Sequence, residues 1–329
     1  MIPLLMHLSR RLSLLAVAGA AFFWGTSHPA SKVLLEHISP FQLALARGLA
    51  PGIGLALLLL IWGRFGQIQV EMRARPFTVL GMGMLAFFGF LIFTSSGLRY
   101  LPASVNSLLV NTSPLMIAIW LIAIHRRLPS RRVLLGLLLG FIGVAALSLR
   151  GMEDFGAVGA LGVLFSTAAS AAWAIYTVWG RRESQTGDAI ALTAASSLAA
   201  IVPFLLVGFV TGELTPPDRL TGQDLVLLAY VSVIGGALPY ALWSIGLKGL
   251  SSASASAFLY VIPLTAVTLA VITLGEPVTL ALVVGGIAIL GGVFLAQTPP
   301  LRPVSPPEVD VDTRTSGRGR SSGEASVRG

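Results

Sequence analysis

Residues 97–101 read Gly97-Leu98-Arg99-Tyr100-Leu101, and 149 residues further on the chain reads Gly246-Leu247-Lys248-Gly249-Leu250. The same offset places Trp24 on Trp173, Lys32 on Arg181, Pro114 on Pro263, Gly136 on Gly285 and Gly143-Val144 on Gly292-Val293, with no gap. Glycine matches arise by chance in a chain with 36 glycines. A paired Trp, a paired Pro and two paired basic residues in one register do not. The chain reads as a tandem duplication.

The duplicated unit is a membrane unit. Hydrophobic residues make up 55% and charged residues 11%, with a mean hydropathy of +0.84; soluble domains carry about 25% charged residues. Crossing about 30 Å of hydrocarbon takes roughly 20 helical residues. Ten apolar runs approach that length, near 12–35, 40–62, 77–98, 103–124, 133–149, 158–179, 189–210, 225–247, 252–274 and 278–296. Lipid leaves an open strand edge unsatisfied, so these runs are helices. Gly275-Glu276-Pro277 leaves room only for a tight turn between the last two. The predicted fold is an all-α integral membrane protein of ten transmembrane helices in two five-helix repeats, residues 12–150 and 155–297. A cytoplasmic N-terminus, 1–11, precedes them and a tail, 298–329, follows.

Five is odd, so the second copy enters the membrane from the opposite side and the repeats are inverted. Inverted repeats give two near-equivalent packings, one open to each side, with a ligand site between them. With the N-terminus inside, the inner loops hold twelve Lys or Arg residues and the outer loops three, plus Lys32 at a helix end. That bias predicts cytoplasmic N- and C-termini. It also accounts for the net charge of +8 without nucleic acid. Ala16-Val17-Ala18 resembles a signal-peptidase box, but the apolar run continues past it through Trp24 and Lys32, which have repeat partners. The tail opens with Pro299, Pro300, Pro303, Pro306 and Pro307 and continues in Ser, Gly, Arg and acids, a composition that predicts disorder. No cysteine is present, so disulfides and thiolate chemistry are excluded.

The repeat also selects candidate site residues. Ser107, Asn111 and Pro114 share one helical stripe, and their partners are Ser256, Tyr260 and Pro263. A mid-membrane Pro frees a carbonyl and permits a kink; the polar neighbours either line a cavity or bond between helices. Trp24 and His28 lie at i, i+4 on the first segment; Trp173, Tyr176 and Thr177 form the matching cluster; Tyr240 and Trp243 lie on the eighth. Mid-segment aromatics can stack on a substrate or simply pack. His28 is the one His well inside a span, and the following Pro29 predicts an irregular helix there. An ionisable group in the membrane is a functional candidate, against the alternative of a neutral ring bonded to a carbonyl. Arg47 lies two turns into the second segment. It either snorkels outward or contacts a backbone carbonyl, the safer reading, or it binds a substrate carboxylate. The candidate substrate-binding set is Trp24, His28, Asn111, Trp173, Tyr176, Tyr240, Trp243 and Tyr260, with Pro29, Pro114 and Pro263 as hinges.

All fourteen Asp and Glu lie in loops, at helix ends or in the tail. That disfavours proton coupling of the Asp/Glu kind and leaves a facilitator, an exchanger, or coupling through His28. No P-loop, HExxH or Gly-x-Ser-x-Gly sequence occurs, so ATP-driven pumping and membrane-enzyme chemistry are set aside. No cofactor and no metal are expected.

Trp24-Gly25-Thr26 with Lys32, Pro40 followed by Arg47, the small-residue starts and prolines of segments four and nine, and Gly275-Glu276-Pro277 together resemble the drug/metabolite transporter superfamily, EamA type. The resemblance covers residues 12–297. It implies two inverted five-helix bundles and carriage of small metabolites such as amino acids. One feature departs: the family usually shows a Glu after the fourth helix as well, and here Arg127 stands opposite Glu276. The expectation is a secondary carrier, an exporter working by alternating access in a bacterial-type inner membrane. Nucleotide sugars or drug-like cations are the alternative cargo, with mid-membrane carboxylates missing for the cations; a non-transporting membrane protein is the other alternative. The expected partners are a small-molecule substrate and the bilayer, with a homodimer left open.

Overall fold

The helix boundaries follow from local chemistry. Ser39 caps α2 (Pro40–Ile61): its hydroxyl accepts the Gln42 N–H while the Gln42 side chain accepts the Ser39 N–H, and Pro40 occupies a position that needs no donor. Asp188 caps α7 (Ala189–Thr211) through the N–H groups of Ile190 and Ala191. Thr221 and Asp224 form the same reciprocal box at the start of α8, residues 222–249. Gly212 and Gly275 close α7 and α9 (Val261–Leu274) with φ of 74° and 64°, a backbone region that favours glycine.

The structure, a computed structural model, describes residues 10–113, 116, 131–184, 187–217, 219–249 and 257–297. The remaining elements are α1 (Arg10–Leu34), α3 (Gly66–Ala74), α4 (Pro76–Tyr100), α5 (Ala103–Val110), α6 (Arg131–Ser184) and α10 (Leu280–Gln297). All regular structure among the described residues is helical, and it falls in one compact unit, residues 1–298. The expected tail, most of the fourth segment beyond Ser113 and the start of the ninth lie outside the described residues. Among the described residues, five helices are long and apolar enough to cross a membrane, and Val261–Leu274 and Leu280–Gly292 are shorter apolar helices. The polarity is inside-out. Phe77, Phe209 and Val210 are more than 80% exposed, whereas Ser27, Ser31, Asn106, Ser166 and Ser196 are fully buried. Lipid is the surrounding that makes such a surface stable.

Three sequence expectations change. Segments five and six are one unbroken helix, α6, of 54 residues. Straight, it would run about 81 Å, more than twice the roughly 30 Å of hydrocarbon. Gly136 meets Gly292 and Gly143 meets Gly285 on α10, while Ser166 meets Gly97 on α4 and Gly162 meets Leu101 just after it. Its two halves therefore pack on different neighbours, and helical hydrogen bonding replaces the expected loop. The stretch after α2 holds α3, which buries Ile68 and Glu71 and exposes Val70 and Met72. α1 runs unbroken through Pro29, where irregularity was expected.

The inversion is visible in the contacts. At one end His37 pairs with Asp224 at 2.9 Å, and Ser39 and Gln42 bond Glu213 and the Thr215 carbonyl after α7. At the other end Arg64, after α2, pairs with Asp188, and Arg75, before α4, lies 3.7 Å from Glu183. α4 thus runs toward the first end and its repeat partner α8 runs away from it. The operator also shows in reciprocal pairs. Gly136·Gly292 and Gly143·Gly285 are one contact seen twice, as are Gly97·Ser166 and Gly246·Val17. Residues on the axis meet their own counterparts. Trp24 touches Trp173, and the Ser197 hydroxyl donates to the Gly48 carbonyl across 149 residues at 2.7 Å. Small residues at these crossings let backbones approach closely, as helix association in lipid requires.

α4 and α8 each carry a π-helical stretch, Gly83–Gly89 and Tyr230–Ala237, closed by i→i−5 bonds from Phe90 to Leu85 and from Leu238 to Val233. The two stretches occupy overlapping places in the repeats, and such bulges concentrate at functional sites.

Candidate functional site

Gly235 and Gly236 of the second π-helical stretch and Phe90, just after the first, line a cavity of about 60 Å³, room for a few water molecules. Trp24 from α1, Trp173 from α6 and Tyr240 from α8 form its aromatic wall. Trp24 stands edge-on to Trp173 at 6.2 Å and 81°, and to Tyr240 at 5.3 Å and 83°. This edge-to-face geometry sets the positive ring edge against the negative ring face. Trp243 packs on Trp24 at 5.6 Å, and Tyr176 packs on Trp173 at 5.2 Å, so both support the wall from behind it. Neither lines the cavity.

The cavity also has a polar lining. Arg47 is 7% exposed and points inward. It does not snorkel, and its partners are hydroxyls rather than carbonyls. One terminal nitrogen donates to Ser27 Oγ at 3.2 Å and the other to Ser31 Oγ at 3.4 Å. Ser27 donates its own proton to the Trp24 carbonyl at 2.6 Å, which turns a lone pair toward the guanidinium. Arg47 Nε has no partner. His28, also buried, lines the same space, and its Nδ1 is unpartnered. Thr94, Asn111 and Ser113 complete the polar lining. Gly235 is required beside this lining, because a Cβ there would stand 2.6 Å from Ser27 Cβ.

The expected stripe on the fourth segment breaks just before its proline. α5 ends at Val110, Asn111 and Thr112 form a turn, and the Asn111 amide folds back on the Ser107 carbonyl at 2.8 Å. Pro114 has no N–H for the Val110 carbonyl, which is the physical cause. The second repeat does the same: a 3-10 turn, Ala257–Tyr260, precedes Pro263, which cannot serve the Leu259 carbonyl. Val110 and Leu259 are repeat partners, and both line the cavity. Of the expected residues, Trp24, His28, Asn111, Trp173 and Tyr240 are brought together, while Pro114 and the Tyr260 side chain lie outside the described residues. Pro263 is buried in the first turn of α9. Thr94 and Ser113 were missed, and Arg47, whose safer reading was snorkelling or a carbonyl contact, lines the cavity. The signal for Arg47 was the hydroxyl pair Ser27 and Ser31, one turn apart on α1.

At one end of the molecule, charged side chains meet helix termini across the chain. Lys32 Nζ donates to the carbonyls of Leu98 at 2.7 Å and Leu101 at 2.8 Å, at the C-terminal end of α4. Glu276, following α9, accepts from Ala103 N at 2.6 Å, Ser104 N at 3.1 Å and Ser104 Oγ at 2.5 Å, at the N-terminus of α5. A cation on a helix C-terminus and an anion on an N-terminus both complement the helix dipole.

Profiles of known families match both halves, residues 11–149 and 160–298, as the EamA-like transporter family. The chain belongs to the EamA-like transporter family. Its full-length relatives agree. An uncharacterized transporter of Bacillus subtilis (strain 168), YvbV, is 26% identical over 295 residues, covering 89% of this chain and 93% of the relative. An uncharacterized transporter of Archaeoglobus fulgidus is 28% identical over 298 residues, covering 88% and 96%. A probable amino-acid metabolite efflux pump of Salmonella typhimurium (strain LT2) is 27% identical over 289 residues, covering 83% and 90%. A solved crystal structure shares the fold with a TM-score of 0.63 at 22% identity, covering 88% of this chain and 97% of the other. This EamA-like protein is a multi-pass membrane transporter and not an enzyme.

Proposed function

We propose that this EamA-like transporter carries small metabolites such as amino acids through the central cavity, as an exporter working by alternating access without ATP. The observation that carries the reading is the position of the aromatic wall. Trp24 and Trp173, equivalent under the repeat, touch each other, so the cavity lies on the pseudo-two-fold axis. A site on that axis is approached equally from either face when the two repeats exchange packings. Trp24, His28, Asn111, Trp173 and Tyr240 contact the cargo in this reading. Tyr176 and Trp243 hold the wall, and Pro263 is the proposed hinge. The printed name of the Salmonella relative supports amino-acid metabolites as the cargo class. The excess of basic residues at the Arg64, Arg75 and Arg131 end supports cytoplasmic termini in an inner membrane.

Counterflow in proteoliposomes tests this. Purified protein preloaded with unlabelled amino acids is expected to accumulate the labelled compound, and Trp24→Ala and Trp173→Ala are expected to abolish the accumulation. Transport that is unchanged in both variants overturns the assignment of the site.

A further inference from the structure

We infer that the cavity takes its cargo as a carboxylate held by Arg47, and that it favours a net anion with an apolar or aromatic body over the corresponding zwitterion or cation. This rests on reading the cavity as the substrate site, and it narrows the cargo within the proposed small metabolites from free amino acids to amino-acid metabolites whose amino group is lost or masked. Arg47 is more than nine-tenths buried, and its two closest partners are neutral hydroxyls, one of them at 3.4 Å. A guanidinium offers five donors, and Nε is unpartnered and buried. A charge removed from water without a counter-ion is strongly disfavoured. No Asp or Glu lines the cavity among the described residues. The parts of segments four and nine outside the described residues, 114–130 and 250–256, hold no Asp or Glu in their sequence either. The site therefore carries one uncompensated positive charge.

A carboxylate can satisfy it through two parallel N–H···O bonds in the fork geometry that Arg offers. Thr94, Asn111 and Ser113 add neutral polar groups to the same lining. Trp24, Trp173 and Tyr240, which line the same cavity, receive the body of the molecule. An ammonium group finds no anion here and meets Arg47 as a like charge, which is the discriminating element.

Three ligands that share one ring separate the charge from the body: 3-phenylpropionate, phenylalanine and phenethylamine. Calorimetric titration of the purified wild-type protein is expected to show 3-phenylpropionate binding about tenfold or more tighter than phenylalanine, with phenethylamine weakest. Arg47→Gln is expected to abolish the preference for the anion, and Arg47→Lys to keep part of it. Trp173→Ala is expected to weaken all three together. The wild-type ranking needs no variant, so a poorly folding Arg47→Gln leaves the test intact. Equal or tighter binding of phenylalanine or phenethylamine, a preference that survives Arg47→Gln, or no binding of any of the three overturns the inference. Lost charge preference with binding still sensitive to Trp173→Ala overturns the anion inference alone and keeps the cavity as substrate site. Binding insensitive to Trp173→Ala overturns both.

Discussion

Replacing Glu276 by Gln tests the proposal that its contact between the repeats keeps one end of the transporter closed. The carboxylate accepts three hydrogen bonds, at 2.6, 3.1 and 2.5 Å, from Ala103 N, Ser104 N and Ser104 Oγ. The amide of the Glu276→Gln variant keeps one acceptor oxygen and turns its N–H₂ toward a backbone N–H. A lost cap costs about 1 kcal/mol, and the lost charge at a helix N-terminus adds about 0.3–1 kcal/mol. The total, about 2 kcal/mol, is roughly a thirtyfold change in an equilibrium constant. The bonds join the end of α9 in one repeat to the start of α5 in the other, so their loss favours parting of the repeats at that end. The chain has no cysteine, so Thr94→Cys, in the cavity lining and 2% exposed, makes a single reporter. A membrane-impermeant thiol reagent added from the Glu276 side is expected to modify it up to about thirtyfold faster in the Glu276→Gln background. Rates within twofold of each other would refute the reasoning, because the carboxylate would then be holding nothing that opens.

Gly97→Ala puts a Cβ 2.5 Å from Ser166 Oγ and 2.8 Å from Asn106 Nδ2; overpacking of about 1–3 kcal/mol should lower the melting temperature in detergent by several degrees. Gly286→Ala, whose nearest neighbour would be Leu108 Cδ1 at 3.6 Å, should leave it unchanged or raise it, and the opposite order would refute the packing account. Asp188→Ala removes both the α7 cap and the Arg64 pair and should cost about 1 kcal/mol or more. Asp188→Asn keeps the cap and should cost only the exposed ion pair, under about 1 kcal/mol, as read by thermal unfolding. Trp173→Ala removes ring contacts to Trp24, Phe90, Tyr176 and Tyr240 and should destabilise by about 3 kcal/mol, measurable in the same assay; a loss below about 1 kcal/mol would mean the wall is not packed as described.

Much of this architecture is legible because inverted duplication writes itself into sequence twice. Trp24 and Trp173 are found by register alone, and the register places them on the axis. The helix ends were legible wherever a cap or a proline marks them, as at Ser39-Pro40 and Gly275. The unbroken α6 was not. Arg150 and the glycines around it read as a loop, and no local rule shows that the helix continues instead of ending. α3 escaped because nine mixed residues give no membrane-length signal. Arg47 was misread because a single Arg in an apolar helix looks the same whether it points to lipid headgroups or to a centre. Its direction is set by Ser27 and Ser31 on another helix, which only packing brings near. Asn111 was placed on a helical stripe, yet the missing N–H of Pro114 ends the helix before it.

The repeat operator carries Arg47 onto Ser196, which is buried with its hydroxyl unpartnered. An Arg at both positions would bury two like charges in one core that screens them poorly; here one helix carries the charge and its counterpart carries a serine. On the proposed reading, the cargo's polar head then stays moored to the same helix whichever side the cavity opens to, so a symmetric pathway holds its passenger in one fixed orientation.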